Sequence, residues 1–556
     1  MSDAKANPIV RALPSLADFA FLMPLFFLFG RMEGAVALLA DGDTGWHLRT
    51  GEWILANGRI PDRDLFSFSK AGETWFAWEW LWDVVFAWLS RYGGLATVVL
   101  ANIVLIGVTF ALLYRLALRT SGNAPAAIAV TFLAGAGSSV HWLARPHMFT
   151  LLFAVVFCSI LERGPGWRGI AALAGLTVLW ANLHGGFFVG IVLIGLYAAG
   201  EGLAALVAAG DAARAAALGR ARVYLAGAAA CAAATFANPY GWRLHAHIYR
   251  YLTDASLFSN NREFLPLNFR HPASIYFEIL LLAGSAAALW CLCRRRFAHA
   301  MVIAAWAHLA LFSTRNIPIF VVVSAPPLAF AAHEWLECLR QSQVAGWLAG
   351  LLERFQGAVR EVGVVERIGR VHAASVAGVL VVAAVLYSPA PPERFRARFD
   401  ASLFPVDAVA VLCRSGPLGR VFTSDQWGDY LIYSQYPKAK VFVDGRSDFY
   451  GSEFSERWLG VYYAVHDWQA GLDRYGFDAV MLPPKAPLAG AMKESRRWRV
   501  VYDDGMAIVF RPSGNVPAGV EVSAVGSSSG SGRGREITKS QTCDPSITTA
   551  ANDTKS

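Results

Sequence analysis

From residue 17 to residue 389 the chain is a succession of long apolar runs separated by short polar connectors. A helix needs about 20 mostly apolar residues to cross the roughly 30 Å hydrocarbon core of a bilayer. No water-soluble core absorbs so many runs of that length. The spacing predicts about eleven spans, near residues 17–40, 95–118, 124–141, 147–162, 169–184, 186–208, 221–237, 275–293, 299–314, 316–333 and 372–389. Hydrophobic residues make up 55% of the chain and charged residues 16%, with a mean hydropathy of +0.40, which excludes an ordinary soluble globule. The fold class that follows is a polytopic α-helical membrane protein.

The net charge of +8 does not point to nucleic acid, because the basic residues sit between apolar runs, where they act as topological anchors. Arg115 and Arg119, Arg163 and Arg168, Arg214, Arg220 and Arg222, Arg294 to Arg296 and the stretch from Arg340 to Arg370 fall in alternate connectors. The positive-inside rule makes those connectors cytoplasmic. The opposite connectors, 41–94, 141–147, 182–186, 238–272 and 313–318, then lie outside a bacterial-type cytoplasmic (inner) membrane, together with everything after residue 390. An odd number of spans with an inside N-terminus requires that placement. The start of the chain reads as a retained first span, with no small-residue cleavage site.

The organisation expected is a cytoplasmic N-terminus at 1–16, a transmembrane domain at 17–390 with a long first outer loop at 41–94, an extracytoplasmic α/β domain at 391–512 and a disordered tail at 513–556. WHLRTGEWILANG and the tryptophan-dense WFAWEWLWDVVFAWLSRYGG in the first loop read as amphipathic helices at the membrane interface. GRIPDRDLFSFS between them reads as a turn followed by extended chain. After residue 390, PVDAVAVLCRSG, WGDYLIYSQYP, FSERWLGVYYAV and DWQAGLDRYG read as helices. RVFTSD, KVFVDGRSDFYG, FDAVMLP, RRWRVVYDD and GMAIVFRP read as strands with their turns. Only Cys413 and Cys543 fall in polar regions, so no disulfide framework is expected.

Asp41-Gly42-Asp43 stands where the first span meets the outer loop. Two carboxylates one residue apart can serve as base and metal ligand, or as two ligands of Mg²⁺ or Mn²⁺. A solvated helix end is the competing reading. Arg315 and Asn316 interrupt an apolar stretch at the outer side, where a guanidinium can grip a phosphate. Arg145, flanked by His141 and His147, and His184 in an Asn-Leu-His-Gly-Gly turn are further outer groups, with snorkelling and tight-turn roles as their alternatives. No P-loop, dinucleotide fingerprint or Ser/His/Asp spacing is present.

An acidic pair at the outer end of the first span, a long loop with interfacial helices, many further spans and an outer α/β domain together resemble the GT-C superfamily of integral-membrane glycosyltransferases. The run Gln426-Trp427-Gly428-Asp429-Tyr430, with Asp444-Gly445-Arg446 downstream, is similar to the C-terminal domain of oligosaccharyltransferase catalytic subunits, although the order of Gly, Asp and Tyr differs. The resemblance implies inverting hexosyl or pentosyl transfer from a polyprenyl-phosphate-linked sugar to a lipid, glycan or protein acceptor. It implies Asp41 and Asp43 as base or metal ligands, Arg315, Arg145 and His184 on the donor phosphate, and His47, His147 and Asn316 as auxiliaries. Trp427, Asp429, Tyr430, Asp444 and Arg446 would line an acceptor site, or else pack beneath a helix start. Membrane lipids and the lipid-linked donor are the partners this implies. A transporter or lipid flippase, or a non-catalytic subunit of envelope assembly, remain the other classes open to such a chain.

Overall fold

The computed structural model describes residues 11–164, 166–254, 262–342, 346–366, 370–414 and 416–514. From residue 515 onward the expected tail, Cys543 included, lies outside the described residues, as do residues 1–10 of the expected N-terminal segment. The chain divides into two compact units, Met1–Leu38 with Val98–Arg396, and Leu39–Thr97 with Ala397–Ser556. The long first loop thus clusters with the C-terminal segment.

The first unit is helical. Leu16–Gly30 and Ala124–Ser138 begin where short polar side chains satisfy the exposed N–H groups of a first turn. Ser15 and Asp18 form a reciprocal capping box at the start of Leu16–Gly30, and Asn123 caps Ala124–Ser138 by accepting from the Ala126 N–H at 3.0 Å. Among the described residues five helices are long and apolar enough to cross a membrane: Gly94–Ser121, Ala124–His141, Gly185–Leu206, Pro272–Cys293 and Thr314–Gln341. The chain is accordingly a multi-pass membrane protein.

Five such helices are fewer than the eleven spans expected from the sequence. Leu16–Gly30, Met148–Leu161, Phe297–Phe312 and Ala373–Leu386 are apolar but contain 15, 14, 16 and 14 residues. At 1.5 Å per residue they reach about 21–24 Å, short of the hydrocarbon core. The span expected over 17–40 ends at Gly30, and the chain turns through Gly34 at φ +76° before the short helix Ala35–Leu38. Asp211–Ala234 is long enough but carries Arg214, Arg220 and Arg222. Small residues let helices approach closely: a methyl group at Gly200 would lie 2.4 Å from the Ala298 backbone nitrogen.

The second unit combines helices with one small sheet. In the first loop, Asp43–Asn57 and Trp80–Ser90 pack face to face, with Trp82, Phe86 and Ala87 buried and Gly51 against the Asp83 carbonyl. Beyond residue 396 come the helices Val406–Arg414, Asp425–Gln435, Ser447–Tyr462, Trp468–Tyr475 and Pro487–Lys493. The strands β1 (Val421–Phe422), β2 (Ala479–Leu482), β3 (Trp498–Asp503) and β4 (Ile508–Pro512) form a sheet of order β1-β2-β4-β3, parallel between β1 and β2 and antiparallel elsewhere. All four residues of β2 are buried, as suits a strand with neighbours on both edges.

The segment KVFVD, expected as a strand of this sheet, is extended but pairs elsewhere. Val441 donates to the Phe66 carbonyl at 2.9 Å and accepts from the Phe68 N–H at 2.9 Å. The FSFS stretch of the first loop is its partner, and the sheet therefore has four strands among the described residues.

Candidate functional site

The turn Asp41-Gly42-Asp43 is built by local hydrogen bonding. Asp41 Oδ1 accepts from the Asp43 N–H at 2.9 Å, and Gly42 donates its N–H to Gln426 Oε1 at 2.9 Å. A side chain would not fit at Gly42 or Gly45. Their Cβ atoms would fall 2.7 Å from Asp429 Cβ and 2.8 Å from the Asp429 carbonyl oxygen, so glycine lets Asp43–Asn57 close against Asp425–Gln435. The latter helix is capped by Ser424, and Asp429 lies in its second turn, fully buried.

This packing brings Asp43 and Asp429 together around a third glycine. A methyl group at Gly445 would stand 2.1 Å from Asp43 Oδ1 and 2.7 Å from Asp429 Oδ2. The Gly445 N–H donates to Asp429 Oδ1 at 2.8 Å, whereas Asp429 Oδ2 is buried and accepts no hydrogen bond from the described residues. Burial pushes the Asp429 carboxyl well above its ordinary value, and the charges of Asp43 and Asp444 push it further. The Asp425 carboxyl is raised as well, by burial and then by Asp41. Asp425 escaped the sequence reading, and Gly445 entered it only as part of the Asp444-Gly445-Arg446 motif. The signal for Asp425 was its position directly after the cap Ser424, a place where acidic residues favour a helix start.

Asp444 and Arg446 belong to a separate buried network. Arg446 donates through Nε to Asp444 Oδ1 and through Nη2 to Asp444 Oδ2, both at 2.7 Å, and Nη2 also reaches Asp64 Oδ1 at 2.8 Å. Tyr450 donates to Asp444 Oδ2 at 2.8 Å. The guanidinium lies 4.5 Å from the Trp75 ring centroid and 5.0 Å from that of Phe66. Trp427 and Tyr430, read as acceptor contacts or as packing, are buried. The Trp427 indole N–H donates to the Leu403 carbonyl at 2.8 Å, and Tyr430 packs on Phe399 and Phe404. His47 is also buried, with Nδ1 2.6 Å from Asp83 Oδ1 and Nε2 3.5 Å from Glu79 Oε2. Burial and the neighbouring Glu79 raise the Asp83 carboxyl well above its ordinary value.

The first unit holds a cationic cluster. Arg145 Nη1 pairs with Glu263 Oε1 at 2.7 Å, and Arg315 Nη1 lies 3.9 Å from Glu263 Oε2. Ser313 Oγ donates to the Glu263 carbonyl at 3.0 Å, and the Arg315 guanidinium lies 5.3 Å from the Phe264 ring. Burial opposes ionisation of Glu263, but Arg145, His141 and Arg315 hold its carboxyl well below the usual range. His147 sits beside His141, with ring centroids 4.4 Å apart. His184 Nδ1 accepts from the Gly186 N–H at 3.0 Å and lies 2.7 Å from Thr150 Oγ1, so this nitrogen holds the Gly-Gly turn. Asn316 donates to the Leu309 carbonyl at 3.1 Å and secures the helix end preceding Arg315. Glu263 was the member of this cluster that the sequence reading passed over.

For a divalent ion, Asp43 and Asp429 supply two carboxylate oxygens facing one glycine. Among the described residues no group of three or more His, Cys, Asp or Glu side chains is placed to hold a metal. Two carboxylates fit the habit of Mg²⁺, which keeps several waters and takes its remaining ligands from substrate phosphates.

No protein-family model and no curated protein matches the chain. Two solved archaeal structures are similar to it in fold. The apo oligosaccharyltransferase of Archaeoglobus fulgidus has a TM-score of 0.51 and 11% identity, over 84% of this chain and 69% of its own. The oligosaccharyltransferase AglB from the same organism, in complex with an inhibitory peptide and a dolichol-phosphate, has a TM-score of 0.50 and 10% identity, over 90% of this chain and 74% of its own. At such identities the likeness concerns the fold. The chain is similar in membrane fold to these oligosaccharyltransferases.

Proposed function

We propose that the chain is a membrane glycosyltransferase, which moves a sugar from a polyprenyl-phosphate-linked donor to a lipid, glycan or protein acceptor at the outer face of a bacterial-type cytoplasmic membrane. The observation that carries this reading is the pairing of Asp43 Oδ1 and Asp429 Oδ2 across Gly445. Two buried carboxylates this close titrate as a pair, with one proton held to higher pH than an isolated aspartate would hold it. In its ionised form such a pair can accept a proton from an acceptor group.

The acceptor's hydroxyl or amide proton passes to the pair as its heteroatom forms a bond to the sugar's anomeric carbon. The bond from that carbon to the lipid phosphate breaks, and the phosphate leaves with the electron pair, inverting the anomeric centre. Asp43 and Asp429 would hold a divalent ion where one is used, and the ion would neutralise charge gathering on the leaving phosphate. Asp41 orients the turn by accepting from the Asp43 N–H. The phosphate role expected of Arg145 and Arg315 finds support in their meeting at one carboxylate, Glu263, which gathers two guanidiniums at one place.

The test is transfer of radiolabelled sugar from a synthetic polyprenyl-phosphate donor in reconstituted vesicles. Asp43→Asn abolishes transfer and leaves membrane insertion intact. Full activity in this variant would sink the assignment.

A further inference from the structure

The C-terminal segment encloses a second feature, a cavity of about 260 Å³ that shares no lining residue with the Asp43–Asp429 pair. Its inner wall is aromatic. Phe442 stands among Phe422, Phe454 and Tyr475, with ring centroids 5.6, 5.4 and 4.7 Å away. Trp458 lines the cavity too, its ring fixed by donation from Nε1 to the Thr423 carbonyl at 3.2 Å. The lining also contains Trp468, and Arg457, Arg474, Asp467 and His466 supply its charged and polar side chains, Arg457 being paired with Glu453 at 3.1 Å and His466 lying 3.4 Å from Asp467.

The turn between Ser447–Tyr462 and Trp468–Tyr475 carries backbone strain. Ala464 and Asp467 both adopt the left-handed region, at φ +52° and +62°, which residues other than glycine occupy only where their surroundings hold them. The same turn exposes the apolar side chains of Tyr463 and Val465, and presents the side chains of His466 and Asp467 largely to solvent. A rigid aromatic wall beneath a strained, polar rim is the form of a ligand clamp.

The lining chemistry narrows the ligand. Aromatic faces carry negative charge density and attract the electropositive C–H bonds of a flat ring. Arg474 offers hydrogen-bond donors and Asp467 an acceptor, the complement of a set of hydroxyl groups. A hydrocarbon chain would use none of these donors and acceptors. A pyranose ring presents C–H bonds on one face and hydroxyls around its edge. We propose that this cavity is a saccharide-binding site, taking one sugar ring against Trp458 and Trp468 with its hydroxyls on Arg474 and Asp467. The site stands independently of the transferase reading, because none of its residues takes part in transfer.

The experiment uses the full chain in lipid nanodiscs prepared without glycosidic detergent. Methyl glycosides of glucose, mannose, galactose and N-acetylglucosamine are titrated by calorimetry and by tryptophan fluorescence. At least one sugar binds saturably, at least tenfold more weakly to Trp468→Ala and Arg474→Ala, while Trp468→Phe and Asp43→Asn keep wild-type affinity. No binding by any of the four, equal affinity in all variants, or displacement of the sugar by decanoate would each overturn the proposal. Transfer activity is not the readout, so loss of the transferase reading would leave this result standing.

Discussion

Arg446 Nη2 and Asp64 Oδ1 form an ion pair of 2.8 Å between side chains that are almost wholly buried and 382 residues apart in the chain. A buried charge left without its partner is costly, typically about 3–5 kcal/mol, because no water replaces the lost contact. Asp444 still faces Arg446 when Asp64 is removed, which places the expected cost of Asp64→Ala at the lower end, about 3 kcal/mol. Thermal or denaturant unfolding in detergent reads this directly. Wild-type stability in the variant would show that the pair contributes nothing.

Gly445→Ala places a methyl group 2.1 Å from Asp43 Oδ1 and 2.7 Å from Asp429 Oδ2. One carboxylate or the other must move by more than an ångström. Transfer activity falls by at least about 100-fold, as expected when catalytic groups lose their positions by that much. A variant that transfers sugar at the wild-type rate would show that the spacing of the two carboxylates is immaterial.

Asp429→Asn separates activity from stability. The folded protein raises the Asp429 carboxyl, so the stability this group contributes is present below its unfolded value near 3.9 and is lost as pH rises through the folded value. At neutral pH the wild type therefore bears a cost that asparagine avoids, while the Gly445 N–H keeps its acceptor. The variant loses transfer activity but gains about 1 kcal/mol of stability at pH 7. The gain shrinks as pH falls towards 4. Unfolding midpoints from pH 4 to pH 8 check both the sign and the trend.

Glu263→Gln tests the opposite case. Arg145, His141 and Arg315 depress the Glu263 carboxyl, so its stabilisation is present above the unfolded value of about 4.3 and is lost as pH falls through the lower folded value. The variant is less stable than the wild type at pH 7, by about 1–3 kcal/mol for a pair this enclosed. The difference narrows below pH 4. A gap that stays constant with pH would assign the effect to packing.

Much of the helical scaffold was legible because apolar periodicity is a local signal. The amphipathic helices Asp43–Asn57 and Trp80–Ser90, the capped helix at Asp425 and the strands at 479–482, 498–503 and 508–512 all lie where the pattern of residues puts them. Pairing partners were not legible. The VFVD stretch has the composition of a strand, but its hydrogen bonds run to Phe66 and Phe68, far away in the chain. Asp43 and Asp429 each stood out singly, the first in an acidic triplet and the second in an aromatic run. Their meeting at Gly445 depends on glycines at 42 and 45, whose absent side chains allow two helices to touch. Glu263 was masked by its setting among polar loop residues, since nothing local reveals the two arginines that surround it.

The unit joining Leu39–Thr97 to Ala397–Ser556 also has a consequence in time. Gly42 and Gln426, which hydrogen-bond to each other, are separated by 384 residues. At roughly 5–20 residues per second, ribosomal synthesis leaves the first acidic segment waiting about 20–80 s for its counterpart. The Asp43–Asp429 pair therefore does not exist on a nascent chain, and the protein acquires it only after the intervening helices have been made.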